Sequence, residues 1–253
     1  MWARAFSILL SKACDPKGLD PKPPVQAFLP LEPRLTAGLF LPLLHVRAEY
    51  GKNVPMNHAP QIIETRLENG TPVCLRRVTR GDEGRIRQGI ARMSPRSRYM
   101  RFFSGATTPP DWVIDRLLDA DGDMHLAWGA IDTSQPDEPA IGAVHAFRDA
   151  DDRGLAEFSV AILDDWHGMG LGKLLTATLL LEARAEGIAR FSMDTLSENS
   201  SAIAFARLLG GERTEYYGSV LSYSLDVTGA LERLEAAADP PGIAQVFAAF
   251  GQL

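Results

Sequence analysis

Residues 157–186 have the sequence EFSVAILDDWHGMGLGKLLTATLLLEARAE, which contains the patterns of a strand, a glycine-rich turn and an amphipathic helix. Phe158, Val160 and Ile162 occupy alternate positions in a run with enough β-branched residues to predict a buried strand. The period of one buried helix face follows, at Leu171, Leu174, Leu175, Thr178 and Leu179. We therefore expect a strand, a turn and a helix to follow one another here.

Three glycines, Gly168, Gly170 and Gly172, stand where the predicted helix begins. Glycine lets the backbone approach a ligand closely and adopt dihedral angles that are closed to other residues. The first N–H groups of a helix have no intrahelical partner and lie at the positive end of the helix dipole. The glycines therefore predict a site for a phosphate or pyrophosphate, with an ordinary tight turn as the alternative.

The glycine spacing excludes two well-known phosphate loops. In the dinucleotide pattern G-x-G-x-x-G, counted from Gly168, the third glycine position is occupied by Lys173. In the P-loop pattern G-x-x-x-x-G-K-[ST], the first glycine position is His167 and the last position is Leu174. A phosphate site at this loop would therefore have to follow a different pattern.

The loop resembles the pyrophosphate loop of the GNAT superfamily of N-acetyltransferases, [QR]-x-x-G-x-[GA]. His167 takes the position of the usual Gln or Arg, and both small-residue positions are kept, at Gly170 and Gly172. Two further stretches, SPRSRYMRFF at 94–103 and NSSAIAFARLLGG at 199–211, stand in the order found in catalytic domains of bacterial protein-lysine acetyltransferases. The resemblance covers about residues 71–227.

The element pattern predicts an α/β fold. Strand, helix, helix, three strands, helix, strand, helix and two strands follow one another, which is also the GNAT order. The resemblance implies a mixed, mostly antiparallel central sheet that splays at the cofactor strand and is flanked by helices. We assign residues 70–227 to this domain and residues 228–253 to a C-terminal tail of two short helices.

Residues 1–69 are expected to form a poorly ordered N-terminal extension. Seven prolines interrupt this segment up to residue 42, which argues against long helices and central strands. The domain-like pattern begins only after Met56, so this methionine is a candidate for the true translation start.

Composition limits the class of partner. The chain is 45% hydrophobic and 23% charged, with a formal net charge of -6 and a pI of about 5.4, so we expect neither a nucleic-acid nor a membrane partner. Its two cysteines, Cys14 and Cys74, build no disulfide framework or metal cluster, which predicts a cytoplasmic protein without a metal. In SPRSRYMRFF we expect inward aromatic rings and solvated arginines.

The resemblance implies that the chain binds acetyl-CoA as a cosubstrate. The strand backbone at Val160 and Ile162 would bind the pantetheine arm as an added strand would. Asn199 would help to position the pantetheine or its thioester end, or would simply cap the following helix. The pyrophosphate would be held by the loop residues His167, Gly168, Met169, Gly170, Leu171, Gly172 and Lys173.

Amine acetylation needs a free amine, and a lysine with a pKa of ~10.4 is almost wholly protonated near neutral pH, so a base is expected. Glu157 is the candidate, because it lies on the cofactor strand and matches the glutamate assigned as base in the A-E-F motif of relatives. A paired structural glutamate is the alternative, and His125 and His145 are rival bases. The Val160 N–H would stabilise the thioester oxygen. Ala206 stands where many relatives have a thiolate-protonating tyrosine.

The predicted function is an acetyl-CoA-dependent N-acetyltransferase. It would transfer an acetyl group directly, in a ternary complex, to a primary amine of a small molecule or a protein lysine. The departures at His167 and Ala206 keep open a non-catalytic acyl-CoA sensor, and a nucleotide-binding regulator is more remote. The sequence leaves the oligomeric state open, a homodimer being one option.

Overall fold

The computed structural model describes residues 62–102 and 108–251. Most of the predicted N-terminal extension lies outside the described residues, as do Cys14 and the proposed start at Met56. Within the described part, the predicted order of strands and helices is present, with one strand and one helix added near its beginning.

The described residues form one eight-stranded sheet in the order β1-β2-β3-β4-β5-β6-β8-β7. Neighbouring strands are antiparallel except β5 and β6, which are parallel. This confirms the predicted mixed, mostly antiparallel α/β sheet. The strands are β1 (Ile62–Arg66), β2 (Pro72–Arg77), β3 (His125–Asp132), β4 (Ala140–Arg148), β5 (Leu155–Ile162), β6 (Arg190–Leu196), β7 (Glu212–Tyr217) and β8 (Val220–Asp226).

Seven α-helices flank the sheet in the described residues, with short 3-10 turns at Arg80–Asp82 and Asp164–Trp166. The main core lies between one sheet face and α4, α6 and α7, and a second cluster joins α1 and α3 to the other face. The helices are α1 (Glu83–Arg92), α2 (Pro95–Phe102), α3 (Asp111–Leu118), α4 (Leu171–Ala185), α5 (Ser200–Leu208), α6 (Val227–Ala237) and α7 (Ile243–Gly251).

Helix α4 is more deeply buried than the amphipathic pattern predicts. Its expected inner face is buried, and all the remaining residues from Leu174 to Ala183 are buried as well. The reason is that the helix contacts the sheet on one side and α6 and α7 on another. Even Glu182 is 2% exposed, and its carboxylate is satisfied by the Trp128 indole N–H and by Arg77 at 2.5 Å. A buried charge is tolerated when it is paired in this way.

Both predicted boundaries of the domain fall inside its core. Strand β1 lies in the segment assigned to the extension, and it pairs with β2 from Ile62 opposite Arg76 to Arg66 opposite Pro72. Its buried and exposed residues alternate, with Ile63 facing the core. The preceding prolines concealed this short period-2 pattern, so the prediction of an extension up to residue 69 is wrong for 62–69.

The C-terminal tail forms the two predicted helices, but it is not an appendage. Leu234 of α6 and Val246 of α7 are fully buried in the main core, and both helices pack against α4 while α7 also packs against β1. The sequence analysis separated residues 228–253 because the family resemblance ended there, whereas burial joins them to the domain.

Within the segment SPRSRYMRFF, residues Pro95–Phe102 form helix α2. Arg98 is 6% exposed and donates to the carbonyl oxygens of Ala91, at 3.4 Å, and Met93, at the end of α1. Tyr99, by contrast, is 40% exposed. The expectation is wrong for Tyr99 and for Arg98, whose guanidinium is attracted by the free carbonyls of a helix end. It holds for Arg96, which is exposed, and for Phe102, which packs against the second cluster.

Candidate active site

A cleft opens where β5 and β6 separate. The two strands pair only from Leu155 opposite Arg190 to Glu157 opposite Ser192, and beyond this point β6 continues along β8 without contacting β5 as a partner strand. The resulting cleft has a volume of about 670 Å³. It is lined by the second half of β5, the glycine loop and the beginnings of α4 and α5, as well as by α2 and α3.

The free edge of β5 presents backbone groups of the predicted residues. The Leu163 N–H donates to Ile141 on the β4 side at 3.0 Å, and the Gly154 carbonyl accepts from the β6 side. Because successive residues of a strand point their backbone groups to opposite sides, Val160 and Ile162 direct theirs toward the cleft. An extended ligand can add to this edge as another strand would.

The glycine loop offers a row of free amides at the start of α4. Gly168 and Gly170 have φ angles of +73° and +80°, which glycine adopts without steric cost. The amide N–H groups of residues 168–172 donate to no acceptor among the described residues, whereas the Lys173 amide donates to the Gly170 carbonyl at 3.0 Å. The predicted cradle therefore has five free amides, and Lys173 does not contribute one.

Two of the predicted loop residues do not present their side chains to the cleft. The Leu171 side chain is 1% exposed and belongs to the main core. Met169 does not line the cleft; its carbonyl accepts from the Glu68 N–H at 3.3 Å and its sulfur contacts Asn69 Nδ2 at 3.5 Å. The turn between β1 and β2 thus supports the loop.

His167 and Lys173 line the cleft and are both engaged with other groups. His167 Nε2 lies 3.0 Å from the Ile162 carbonyl oxygen, and because a carbonyl only accepts, Nε2 carries the proton in this contact. His167 is exposed. The Lys173 ammonium forms an ion pair with Asp239, in the connection between α6 and α7.

Asn199 is the N-cap of α5, which is one of the two roles that the sequence predicts for it. Its Oδ1 accepts from the Ala202 N–H at 3.1 Å, and the residue also lines the cleft. Ala206 is fully buried in the main core. The ring that α5 directs toward the cleft is Phe205, which has no exchangeable proton.

Glu157 lies in the cleft on the sheet face opposite to the main core, across from Phe147 on β4. Burial raises the pKa of Glu157, and the negative charge of Asp194 raises it further, while Arg101 and Arg116 act in the opposite direction. The carboxyl group is therefore more basic than an exposed glutamate.

The histidines predicted as rival bases form a buried pair away from the cleft lining. His125 Nε2 lies 3.0 Å from His145 Nδ1, and the two residues are 5% and 4% exposed. Burial lowers the pKa of His125 to about 4 and that of His145 well below its ordinary value. Both rings are neutral near pH 7, and neither lines the large cleft.

A comparison with known families identifies the arrangement. Residues 96–210, which include Glu157, the glycine loop and Asn199, match the model of the acetyltransferase (GNAT) family. The chain contains a GNAT acetyltransferase domain. The GNAT match ends before β7 and begins after α1, so the elements at both ends of the described fold lie outside it.

Two curated relatives of this GNAT domain are named as acetyltransferases. Acetyltransferase PA5475 of Pseudomonas aeruginosa is 28% identical over 135 residues, which are 53% of this chain and 72% of that protein. Acetyltransferase Pat of Mycolicibacterium smegmatis is 28% identical over 137 residues, 54% of this chain. The chain spans only 40% of the length of the second relative. The family match and these names confirm the predicted enzyme class, an acyltransferase.

A solved structure confirms the GNAT fold. The GNAT domain of S. lividans PAT superposes with a TM-score of 0.60 at 21% identity, covering 66% of this chain and 97% of that structure. At this identity the likeness concerns the fold alone. It agrees with the splayed mixed sheet described above.

Three charged residues of the GNAT cleft escaped the sequence analysis. Arg101 on α2 donates to Ser159 Oγ at 2.9 Å. Asp194 on β6 lines the cleft. The guanidinium carbon of Arg116 on α3 lies 4.4 Å from the centroid of the Phe147 ring. Each comes from an element far from Glu157 in the chain. Only Asp194 has a local signal, its alternation with apolar residues on β6, which indicates the face of the sheet but not the distance to Glu157.

No group of three or more His, Cys, Asp or Glu side chains in residues 62–102 and 108–251 could hold a metal ion. None of the helices in the same ranges is both long and apolar enough to cross a membrane.

Proposed function

We propose that this protein is an acetyl-CoA-dependent N-acetyltransferase that acetylates a primary amine by direct transfer, with Glu157 as the general base. One observation carries the proposal: the Glu157 carboxyl group and the free amides of the glycine loop line the same cleft. The cleft thus combines a base with an anion site, which amine acylation from a CoA thioester requires.

The residues present fit the donor. The five amides of residues 168–172 would hold the diphosphate, since they are unpaired and lie at the positive end of α4. The free backbone edge at Val160 and Ile162 would bind the pantetheine arm. When bound, acetyl-CoA supplies an activated acetyl group.

Glu157 would accept the proton of the acceptor amine. A substrate ammonium has a pKa of ~10.4, so its proton must leave before the nitrogen can attack. The raised pKa of Glu157 brings the base closer to the working pH, which favours proton transfer. The Val160 N–H, at the free edge of β5, would stabilise the negative charge that develops on the acyl oxygen.

The acceptor would be a cationic amine, either a small molecule or a protein lysine. Asp194 and Glu157 bring two carboxylates to one part of the cleft, and an ammonium group offsets their mutual repulsion. Because Ala206 is buried in the core, α5 supplies no tyrosine to protonate the departing thiolate, and we assign that proton to solvent.

The experiment that tests the function is transfer of labelled acetyl from acetyl-CoA to a panel of amines and lysine-containing proteins. We expect turnover with at least one cationic amine, and a fall of about 10²- to 10⁴-fold in kcat for Glu157→Gln, with CoA affinity unchanged. Glu212→Gln, on the exposed strand β7, is the matched control and should retain full activity.

Two other outcomes would redirect the proposal. Undiminished turnover by Glu157→Gln would remove this residue from the mechanism. Acetyl-CoA binding without turnover on any amine would favour the non-catalytic acyl-CoA sensor, in keeping with the absence of a tyrosine at Ala206.

A further inference from the structure

The connection between α6 and α7, residues 238–242, lies directly against the glycine loop. A Cβ atom at Gly170 would stand 2.6 Å from Pro240 Cβ and Cγ, so the proline ring contacts the loop backbone closely. The other end of the connection is fixed to β1, because the Gly242 carbonyl accepts from the buried Thr65 hydroxyl at 2.8 Å. A segment outside the family match therefore forms part of the loop's surroundings.

Asp239 of this connection forms an ion pair with Lys173, the third residue of α4. Lys173 lines the cleft next to the free amides of the loop. The lysine side chain is 21% exposed and the aspartate side chain 49%. The lysine nearest to the expected diphosphate therefore already has a carboxylate partner.

We propose that Asp239 is a positioning residue of the donor site that withholds the Lys173 ammonium from the bound diphosphate and thereby limits the affinity for CoA. The proposal rests on the proposed donor site and adds a determinant that lies outside the glycine loop. Asp239 need not touch the ligand, because it acts through Lys173.

The physical reason is competition between two anions for one cation. A diphosphate bound at the loop attracts Lys173, but this attraction must first overcome the existing pair with Asp239. Replacement of the aspartate by asparagine removes the competing charge and keeps the size of the side chain. The ammonium then becomes available to the phosphate oxygens.

A double-mutant cycle tests the proposal, with CoA as the probe and its Kd measured by calorimetry. Asp239→Asn should bind CoA about two- to five-fold more tightly, the range expected for a partly exposed charge pair. In the Lys173→Met background, the same change at Asp239 should leave the Kd nearly unaltered. Equal tightening in both backgrounds, or no tightening in either, would overturn the proposal.

Salt dependence separates this role from a merely structural one. In Asp239→Asn a further charge contact to the diphosphate forms, so its Kd should rise more steeply with sodium chloride than that of the unaltered chain. A loosened loop would not produce this change of slope. Asp239→Ser provides a second variant in case the amide disturbs the connection, and thermal unfolding of both verifies the fold.

The control is Asp152→Asn, which removes a similarly exposed carboxylate that is paired with Arg190, outside the cleft lining. It should change neither the Kd nor its salt dependence. Failure of the unaltered chain to bind CoA would overturn the proposed function together with this inference. CoA binding with the same Kd in Asp239→Asn as in the unaltered chain would overturn this inference alone.

Discussion

Glu157 owes its expected basicity to residues that are remote from it in the chain. Burial raises its pKa, and Asp194 raises it further across the gap where β5 and β6 separate. A base with a raised pKa loses activity when the pH falls below that pKa, because the protonated form cannot accept another proton. With Glu157 as the proposed base, the acid limb of the activity profile should therefore depend on the surroundings of Glu157.

Removal of the Asp194 charge should move this acid limb. We predict that Asp194→Asn lowers the pKa of Glu157, because one of the two causes that raise it is lost. The acid limb of kcat/KM should shift to lower pH, and the KM for a cationic amine should increase. A profile measured from pH 5 to 9 that coincides with that of the unaltered enzyme would contradict this role.

The sequence predicts the candidate site residues that belong to short local patterns and misses those that do not. Glu157, Gly168 and Gly170 belong to a single strand–turn–helix motif, which local spacing reveals. Arg101 and Asp194 enter the cleft from α2 and β6, and only the folded sheet brings them near Glu157. Charge pairs across a splayed sheet have no short-range signature.

At the scale of elements, the glycine loop combines backbone conformation with tight packing. Gly168 and Gly170 both have positive φ, but a Cβ at Gly168 would meet no atom within 4 Å, whereas one at Gly170 would collide with Pro240. The two glycines therefore allow backbone strain and steric overlap to be measured separately.

We predict that Gly168→Ala costs about 1–2 kcal/mol from the left-handed backbone conformation alone. Gly170→Ala should cost more and should weaken CoA binding clearly, because Pro240 or the loop must move. Gly172→Ala, where a Cβ would meet only Phe205 at 3.9 Å, is the control for a tolerated methyl group in the denaturation measurement alone. Chemical denaturation and CoA titration give both quantities, and equal costs at Gly168 and Gly170 would contradict the Pro240 contact.

Element boundaries were harder to predict than element types. The alternation in β1 spans only five residues after a proline-interrupted segment, and so short an edge strand gives a weak pattern. Helix α4 was recognised from its period, but its nearly complete burial depends on α6 and α7. Tertiary packing, which periodicity does not encode, accounts for both differences.

At the scale of the whole molecule, one core joins the segments before and after the family match. Ile63 of β1, Leu234 of α6 and Val246 of α7 pack in the same cluster as α4. The C-terminal segment therefore stabilises the domain, and the connection between its two helices supplies Asp239, the partner of Lys173.

A cavity-forming substitution in α6 tests this integration. Leu234 is fully buried, and we predict that Leu234→Ala lowers the free energy of unfolding by about 2–5 kcal/mol. Leu208→Ala on α5, where the side chain is 42% exposed, should cost much less. Urea denaturation followed by two spectroscopic probes should give one cooperative transition. An unchanged midpoint for Leu234→Ala would contradict a shared core.

The central claim is that free amides at the start of α4 hold the CoA diphosphate in the cleft that contains Glu157. The most direct measurement is a titration of ¹⁵N-labelled protein with CoA, followed through the backbone amide resonances. The account predicts saturable shifts for the amides of residues 168–172, accompanied by Val160 and Ile162. Saturable CoA binding that leaves the amides of residues 168–172 unmoved, or no binding by the folded chain, would contradict it.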